Sequence, residues 1–510
     1  MLNKYERIKI FALIGLSSTW PFFTFISNNV TDTLDYGAVF YIWLVCFLTL
    51  TFAGWLVTHL PISVDLKRRL IHIGLIFFLS LFLFGVVVDI FQSNFGIDRL
   101  RWSILTWAIF TCVLSILTWR YSRQSASSMH IMFIISALCL TAGLNIVYKL
   151  YEPSWRGRNV VSDRTISISG EKIVSKINVY YFVLDGYGRA DALHEGLNFD
   201  NAPFTQNLNK MGFWLGHKSF ANYPNTSLSV SSILDMDYLV EPGPNALKNY
   251  TQYQILLSGH NRTVNTFKSL GYKFVMVPPG SWAGTDCRGT ENICLRTEAI
   301  GINETQITLL AMTPFEPILR KIAPSFLKFK RNEFPNMIES IRKTQASSRK
   351  PLFVFSHLMI PHDPIYTRDC QVKSEIKIIA ESISEEKKRN YVETVECVNR
   401  QILEHLPKLI SDDPSAIVIL QSDHGFSFGD FFNRHPNDWN IEEIKWRYGN
   451  FNAIRAPAKC SKYLYQHMSA VNTFRFVFGC LKNMSPNFLA DRLFLTRYNF
   501  NEVIVSDILP

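Results

Sequence analysis

Ala416-Ile-Val-Ile-Leu-Gln-Ser-Asp-His-Gly425 is the stretch on which the fold turns. Its unbroken apolar run, rich in β-branched residues, reads as a strand buried on both faces. A strand of that kind belongs inside a sheet covered by helices on either side. Directly after it stand Asp423 and His424. A carboxylate and an imidazole together are good ligands for a borderline divalent metal. In a doubly wound sheet, ligands collect beyond the carboxyl ends of the strands, where this pair falls.

Working outward, similar runs occur at Val179–Leu184, Tyr272–Val277, Leu352–Phe355 and Val503–Val505. Helical stretches separate them; Tyr391, Val395, Val398, Ile402 and Leu406 recur at helical spacing. The pattern predicts a mostly parallel central sheet. Two more strand ends carry chemistry: Asp185-Gly186-Tyr187-Gly188-Arg189, and Ser356-His357-Leu358-Met359-Ile360-Pro361-His362-Asp363. A fourth segment, Asn222-Tyr223-Pro224-Asn225-Thr226-Ser227-Leu228-Ser229, precedes an apolar helical run. Taken singly, each has a plain reading. Asp185 could cap a turn, Thr226 could cap a helix, His357 could be a satisfied core histidine, and His435 could sit in a surface loop. A helix start also suits an anion, and a metal can make a hydroxyl nucleophilic.

The first 150 residues differ from the rest. Five stretches there lack Asp, Glu, Lys and Arg: Ile10–Thr31, Ala38–Leu60, Leu70–Val88, Trp102–Trp119 and Gln124–Tyr148. Each approaches the ~20 residues that span a bilayer as a helix. Lys4, Arg7 and Lys9 precede the first stretch, Lys67, Arg68 and Arg69 follow the second, and Arg120 and Arg123 follow the fourth. The loop after the first has Asp32 and Asp35 and no basic residue, whereas Asp98, Arg99 and Arg101 after the third are a mild exception. The positive-inside rule puts the N-terminus in the cytoplasm and, with an odd number of spans, everything after Lys149 outside. The expected division is a membrane domain over 1–150, a linker over 151–177 and an extracytoplasmic domain over 178–510.

Composition agrees. Of 510 residues, 48% are hydrophobic and only 18% charged, which excludes a disordered chain. The net charge of +10 is partly this topology signal, and no zinc-finger spacing or RNA-binding aromatic motif supports a nucleic-acid partner. Cys287, Cys294, Cys370, Cys397, Cys460 and Cys480 lie in the outer part, where an oxidising compartment permits three disulfides. Connectivity is open, with Cys287–Cys294 a local pair. Over 311–350, Arg320, Lys321, Lys328, Lys330, Arg331, Arg342 and Lys343 alternate with apolar residues. This reads either as a solvated helical insertion or as a collar against anionic headgroups.

In motif order, the chain resembles the alkaline phosphatase/sulfatase superfamily. It is most similar to membrane-anchored, sulfatase-like phosphoglycerol and phosphoethanolamine transferases, the lipoteichoic acid synthases among them. The order is strand then acid, Thr-Ser near a helix start, His-x-x-x-Pro-His, and Ser-Asp-His-Gly, between Asn178 and Arg497. The resemblance implies five spans and an α/β alkaline-phosphatase-like outer domain. It implies one divalent ion (Zn, Mn or Mg), with a second as an option, held by Asp185, Asp423 and His424 and touched by the nucleophile Thr226. Several of the transferases carry Glu at the position of Asp185. His357 and His362 match histidines that contact the substrate phosphate or a second metal, and His435 matches a further one by spacing.

True sulfatases build an aldehyde from a Cys/Ser-x-Pro-x-Arg core; none occurs here, and the position holds Thr226. Only Asp363 offers an extra acid for a phosphatase-like second metal. The expectation is metal-dependent transfer of phosphoglycerol or phosphoethanolamine from a phospholipid donor to an envelope glycan or glycolipid acceptor, at the periplasmic or outer side of a bacterial inner membrane. The alternatives are an ester hydrolase of the same family and an inactive envelope-assembly module on the same fold.

Overall fold

A computed structural model describes residues 4–30, 34–95, 100–124, 126–151, 176–240, 253, 256–296, 301–323, 326, 333–362, 366–371, 385–428, 434–496, 503–506 and 510. Asp32, Asp98, Arg99, Lys328, Lys330, Arg331, Asp363, Arg497 and nearly all of the expected linker lie outside the described residues. The chain divides into two compact units, 1–156 with 301–329, and 157–300 with 330–510.

The first unit contains α1 (Lys4–Asn29), α2 (Tyr36–His59), α3 (Val64–Phe82), α4 (Phe84–Phe95), α5 (Leu100–Tyr121) and α6 (Ser127–Tyr151). Among the described residues, four helices are long and apolar enough to cross a membrane: α1, α2, α5 and α6. The expected third span is not one straight helix. It is the pair α3 and α4, bent by 47°, which makes a fifth span if counted together. Lys67 donates to the Thr58 carbonyl, and Arg68 to that of Gln124. His72 lies between Ser122 Oγ and Ser128 Oγ at 2.8 and 3.0 Å, the plain reading of a buried histidine. The helices Glu304–Ala311 and Phe315–Ile322 belong to this unit, whereas Phe334–Ser347 belongs to the second.

The second unit is built on β1 (Val179–Leu184), β2 (Trp214–Leu215), β3 (Lys273–Val277), β4 (Ile293–Cys294), β5 (Leu352–Leu358), β6 (Ile417–Gln421) and β7 (Asn452–Arg455). Their order in the sheet is β2-β7-β6-β1-β5-β3-β4. β1 pairs parallel with both β5 and β6, and only β7 runs against the rest. Every residue of β1, β5 and β6 is buried. One face packs Tyr180, Phe182 and Leu184 against Phe334, Ile338, Val395 and Val398. The other packs Tyr181 and Val183 against Val230, Phe267, Phe474 and Val477. Covered faces explain why the strands read as continuous apolar runs. The run at 503–505 is no part of this sheet; β9 (Ile504–Ser506) pairs antiparallel with β8 (Leu493–Leu495) as a separate ribbon.

Candidate active site

Register puts the chemistry in one place. Val183 of β1 faces His357 of β5 on one side and Gln421 of β6 on the other. Asp185 therefore leaves the central strand beside His357, and Asp423 leaves its neighbour two residues past Gln421. Gly186, at φ +67°, turns the chain after Asp185 and donates its N–H to Asp423 Oδ1 at 3.0 Å. Such a φ favours glycine. Tyr391 braces this turn, donating to the Gly186 carbonyl and accepting from Gly188 N–H.

Thr226 opens the helix Thr226–Asp235, every residue of which is buried. Asn225 is the cap, its side chain accepting from Leu228 N–H at 3.0 Å. The capping role thus falls to Asn225, which leaves the Thr226 hydroxyl for other work. Ser229 donates to the Asp423 carbonyl and ties this helix to the loop after β6. At Gly425 a side chain has no room, since a Cβ would lie 2.0 Å from the Trp446 carbonyl oxygen.

One ligand atom each from Asp185, Asp423 and His424 lies within 4.8 Å of the others. All three residues are buried, at 2%, 0% and 1% exposure. Asp185 Oδ1 and Asp423 Oδ2 have no hydrogen-bond partner. Buried carboxylate oxygens left this way are costly. His424 Nδ1 lies 2.8 Å from the Gly425 carbonyl, which assigns the proton to Nδ1 and leaves Nε2 as an acceptor. Nε2 is 3.2 Å from Asp423 Oδ2 and 3.8 Å from Asp185 Oδ1. Thr226 Oγ1 is 3.4 Å from the same nitrogen. Two orphaned carboxylate oxygens and a neutral imidazole nitrogen form a donor set that fits one divalent cation.

The electrostatics favour this set. Burial alone would raise the Asp185 carboxyl, but the charge of His362 and the contacts with His357 and His424 hold it well below the usual carboxylate range. Burial first, then Arg447, pushes His424 down to about 4 against the pull of Asp423 and Asp185. A histidine so placed is neutral, as a metal ligand must be.

The remaining histidines part ways. His357 is buried; Nδ1 meets Thr285 Oγ1 at 2.9 Å, and Nε2 lies 3.3 Å from Asp185 Oδ2. It is placed to orient Asp185 from behind. His362 is exposed, its N–H donating to the Asp185 carbonyl and its ring centroid 6.3 Å from that of His424. His435 caps a short turn, accepting from Asn437 N–H at Nδ1.

Arg447 is the residue that motif reading missed. It is buried, donates from Nε to the Pro224 carbonyl at 2.6 Å, and brings Nη2 to 3.4 Å from His424 Nε2. A guanidinium is thereby fixed beside both Thr226 and the ligand set.

Residues 177–482 match the Sulfatase family. The chain belongs to the Sulfatase family. It is a sulfatase-like enzyme, joined in sequence to a set of apolar helices. No curated protein matches the sequence. Among solved structures, it is similar to the periplasmic domain of EcEptC from Escherichia coli in complex with Zn, at 11% identity and a TM-score of 0.43, covering 67% of this chain and 95% of that one. It is also similar to the lipooligosaccharide phosphoethanolamine transferase EptA from Neisseria meningitidis, at 13% identity and a TM-score of 0.42, covering 93% and 95%. A third is the periplasmic domain of the phosphoethanolamine transferase EptC from Campylobacter jejuni, at 12% and 0.39, covering 62% and 96%. Likenesses this distant describe those proteins; the family assignment rests on residues 177–482.

Proposed function

We propose that the protein transfers a phospho-alcohol group, phosphoglycerol or phosphoethanolamine, from a phospholipid to an envelope glycan or glycolipid through a covalent intermediate on Thr226. The observation that carries this reading is the convergence of Asp185 Oδ1, Asp423 Oδ2, His424 Nε2 and Thr226 Oγ1 at the start of a buried helix. The three ligand atoms would hold one divalent cation, Zn, Mn or Mg. When bound, that ion supplies Lewis-acid stabilisation of the Thr226 oxygen and of the phosphoryl oxygens.

The side chains supply the rest. The Gly425 carbonyl holds the His424 ring at Nδ1, and His357 flanks Asp185 at 3.3 Å, so the ligands are preorganised. Thr226 Oγ1 attacks phosphorus; the bond to the lipid alcohol breaks, and the proton lost by Thr226 leaves with that alcohol. An acceptor hydroxyl then attacks phosphorus, restoring the Thr226 hydroxyl in a ping-pong scheme. Arg447, His362 and His435 are assigned to the phosphoryl oxygens, with Arg447 the fixed charge among them. Water as the acceptor would make the same chemistry a hydrolysis. Transfer is favoured because the chain also carries apolar helices of membrane-spanning length, which a hydrolase of soluble esters does not need. The three disulfides, Cys287–Cys294, Cys370–Cys397 and Cys460–Cys480, support a periplasmic or outer location for the second unit.

The test is mass spectrometry of the full chain incubated with labelled phosphatidylglycerol or phosphatidylethanolamine. A phosphoglycerol or phosphoethanolamine adduct on Thr226 is expected, and it disappears in Thr226→Ala. An adduct that persists in that variant removes Thr226 as nucleophile.

A further inference from the structure

The segment 301–329 is docked on the apolar helices of its own unit. Asn303 donates to Asp35 Oδ2 at 2.7 Å, and Asp35 N–H donates to Thr305 Oγ1 at 3.0 Å. Gly85 N–H donates to the Met312 carbonyl, and a Cβ at Gly85 would come within 3.3 Å of Met312 Cα. Leu309 and Met312 join the core formed by Leu13, Phe22, Ile71 and Phe78.

These docking points lie at one end of the bundle. Asp35 caps the start of α2, and Gly85 sits at the bend between α3 and α4. α2 ends at His59 and α3 begins at Val64, so those two termini adjoin at the other end. There the basic residues gather: Lys67, Arg68 and Arg69, with Arg120 and Arg123 brought close by the contacts of Arg68 with Gln124 and of His72 with Ser122 and Ser128. By the positive-inside rule that end is cytoplasmic, so the segment 301–329 lies at the outer surface.

The helix Phe315–Ile322 continues from this dock. Phe315, Ile318 and Ile322 share one helical face and are 47%, 41% and 71% exposed. Phe326, just beyond, is 72% exposed. Arg320, paired with Glu316, and Lys321 lie off that face. A helix so divided, held at the outer end of membrane-spanning helices, matches the pattern of one lying in the lipid–water boundary.

We infer that Phe315–Ile322 is an interfacial helix whose partner is the outer-leaflet phospholipid surface. Phe315, Ile318 and Ile322 enter the acyl region, and Arg320 and Lys321 meet the lipid phosphates. The inference is independent of the transfer chemistry.

The test uses the full chain in nanodiscs of phosphatidylglycerol and phosphatidylethanolamine. Cys46, Cys112 and Cys139 are replaced by Ala, and a nitroxide is placed in turn at Ile318→Cys, Ile322→Cys and Lys321→Cys. Labels at 318 and 322 are expected to relax several-fold more with oxygen than with an aqueous nickel chelate, and the label at 321 to show the reverse. Equal access to nickel at all three positions would place the helix in water. Shielding of 318 and 322 from both reagents would mean that protein, such as a second copy, covers the face. Either result overturns the inference.

Discussion

Asp185, Asp423 and His424 hold their lone pairs toward one point, and losing any one has a readable effect. Asp423→Asn should abolish stoichiometric metal in the purified protein, measured by elemental analysis, while the three disulfides stay formed. His357→Ala removes only the group behind Asp185, so metal affinity should fall by about 10- to 100-fold without loss of the site. Arg447→Gln should lower kcat by about 10²- to 10³-fold with metal content unchanged, the scale of a lost oxyanion donor. If its metal content falls instead, Arg447 serves the fold of the site and not the phosphoryl group. The three metal-binding candidates and Thr226 were legible because each follows a strand or opens a helix, so short motifs carry them. Arg447 was not. Its carbonyl partner Pro224 is 223 positions away, and nothing in Trp446-Arg447-Tyr448 marks a site. Nor could spacing tell that His357 turns inward while His362 stays exposed; His357 lies within β5, paired in register with β1, and His362 falls in the turn beyond it.

Among the elements, the buried strands were the easiest to read, since covered faces demand unbroken apolar runs. β2 and β4, with two residues each, leave no such trace, and β7 reads Asn-Ala-Ile-Arg. The bend between α3 and α4 was equally hidden, because an apolar stretch reports length and not straightness. Close approach gives a sharper prediction. Gly425→Ala forces a methyl onto the Trp446 carbonyl and must displace the loop that carries Asp423 and His424. Loss of metal binding with the disulfides intact is the expected result. The Cys460–Cys480 link, 20 residues apart and packed in the core beside Phe474 and Phe476, acts on stability alone. Replacing both cysteines with Ala should cost about 3 kcal/mol, read as a lower urea midpoint, and leave metal content unchanged.

For the whole molecule, the organisation read from hydropathy is a run of apolar helices followed by an α/β domain. The structure adds a detour: after the sheet has begun, residues 301–329 return to the helical unit before the chain resumes at 330. The basic stretch over 311–350, read as one insertion or collar, is thereby split, its first part packing with the apolar helices and the Phe334–Ser347 helix packing under the sheet. Hydropathy could not separate these parts, since both alternate basic and apolar residues. The detour makes the attachment redundant. A protease site engineered between residues 152 and 175 would sever the peptide link after α6, yet the downstream fragment would still be held to the helical unit by its own internal segment, through the contacts of Asn303, Thr305, Leu309 and Met312. After cleavage it should sediment with the membranes at neutral pH and be stripped from them by an alkaline carbonate wash. Covalent release of the α/β unit from the helical unit would therefore require three cuts, one at each crossing of the chain between the units.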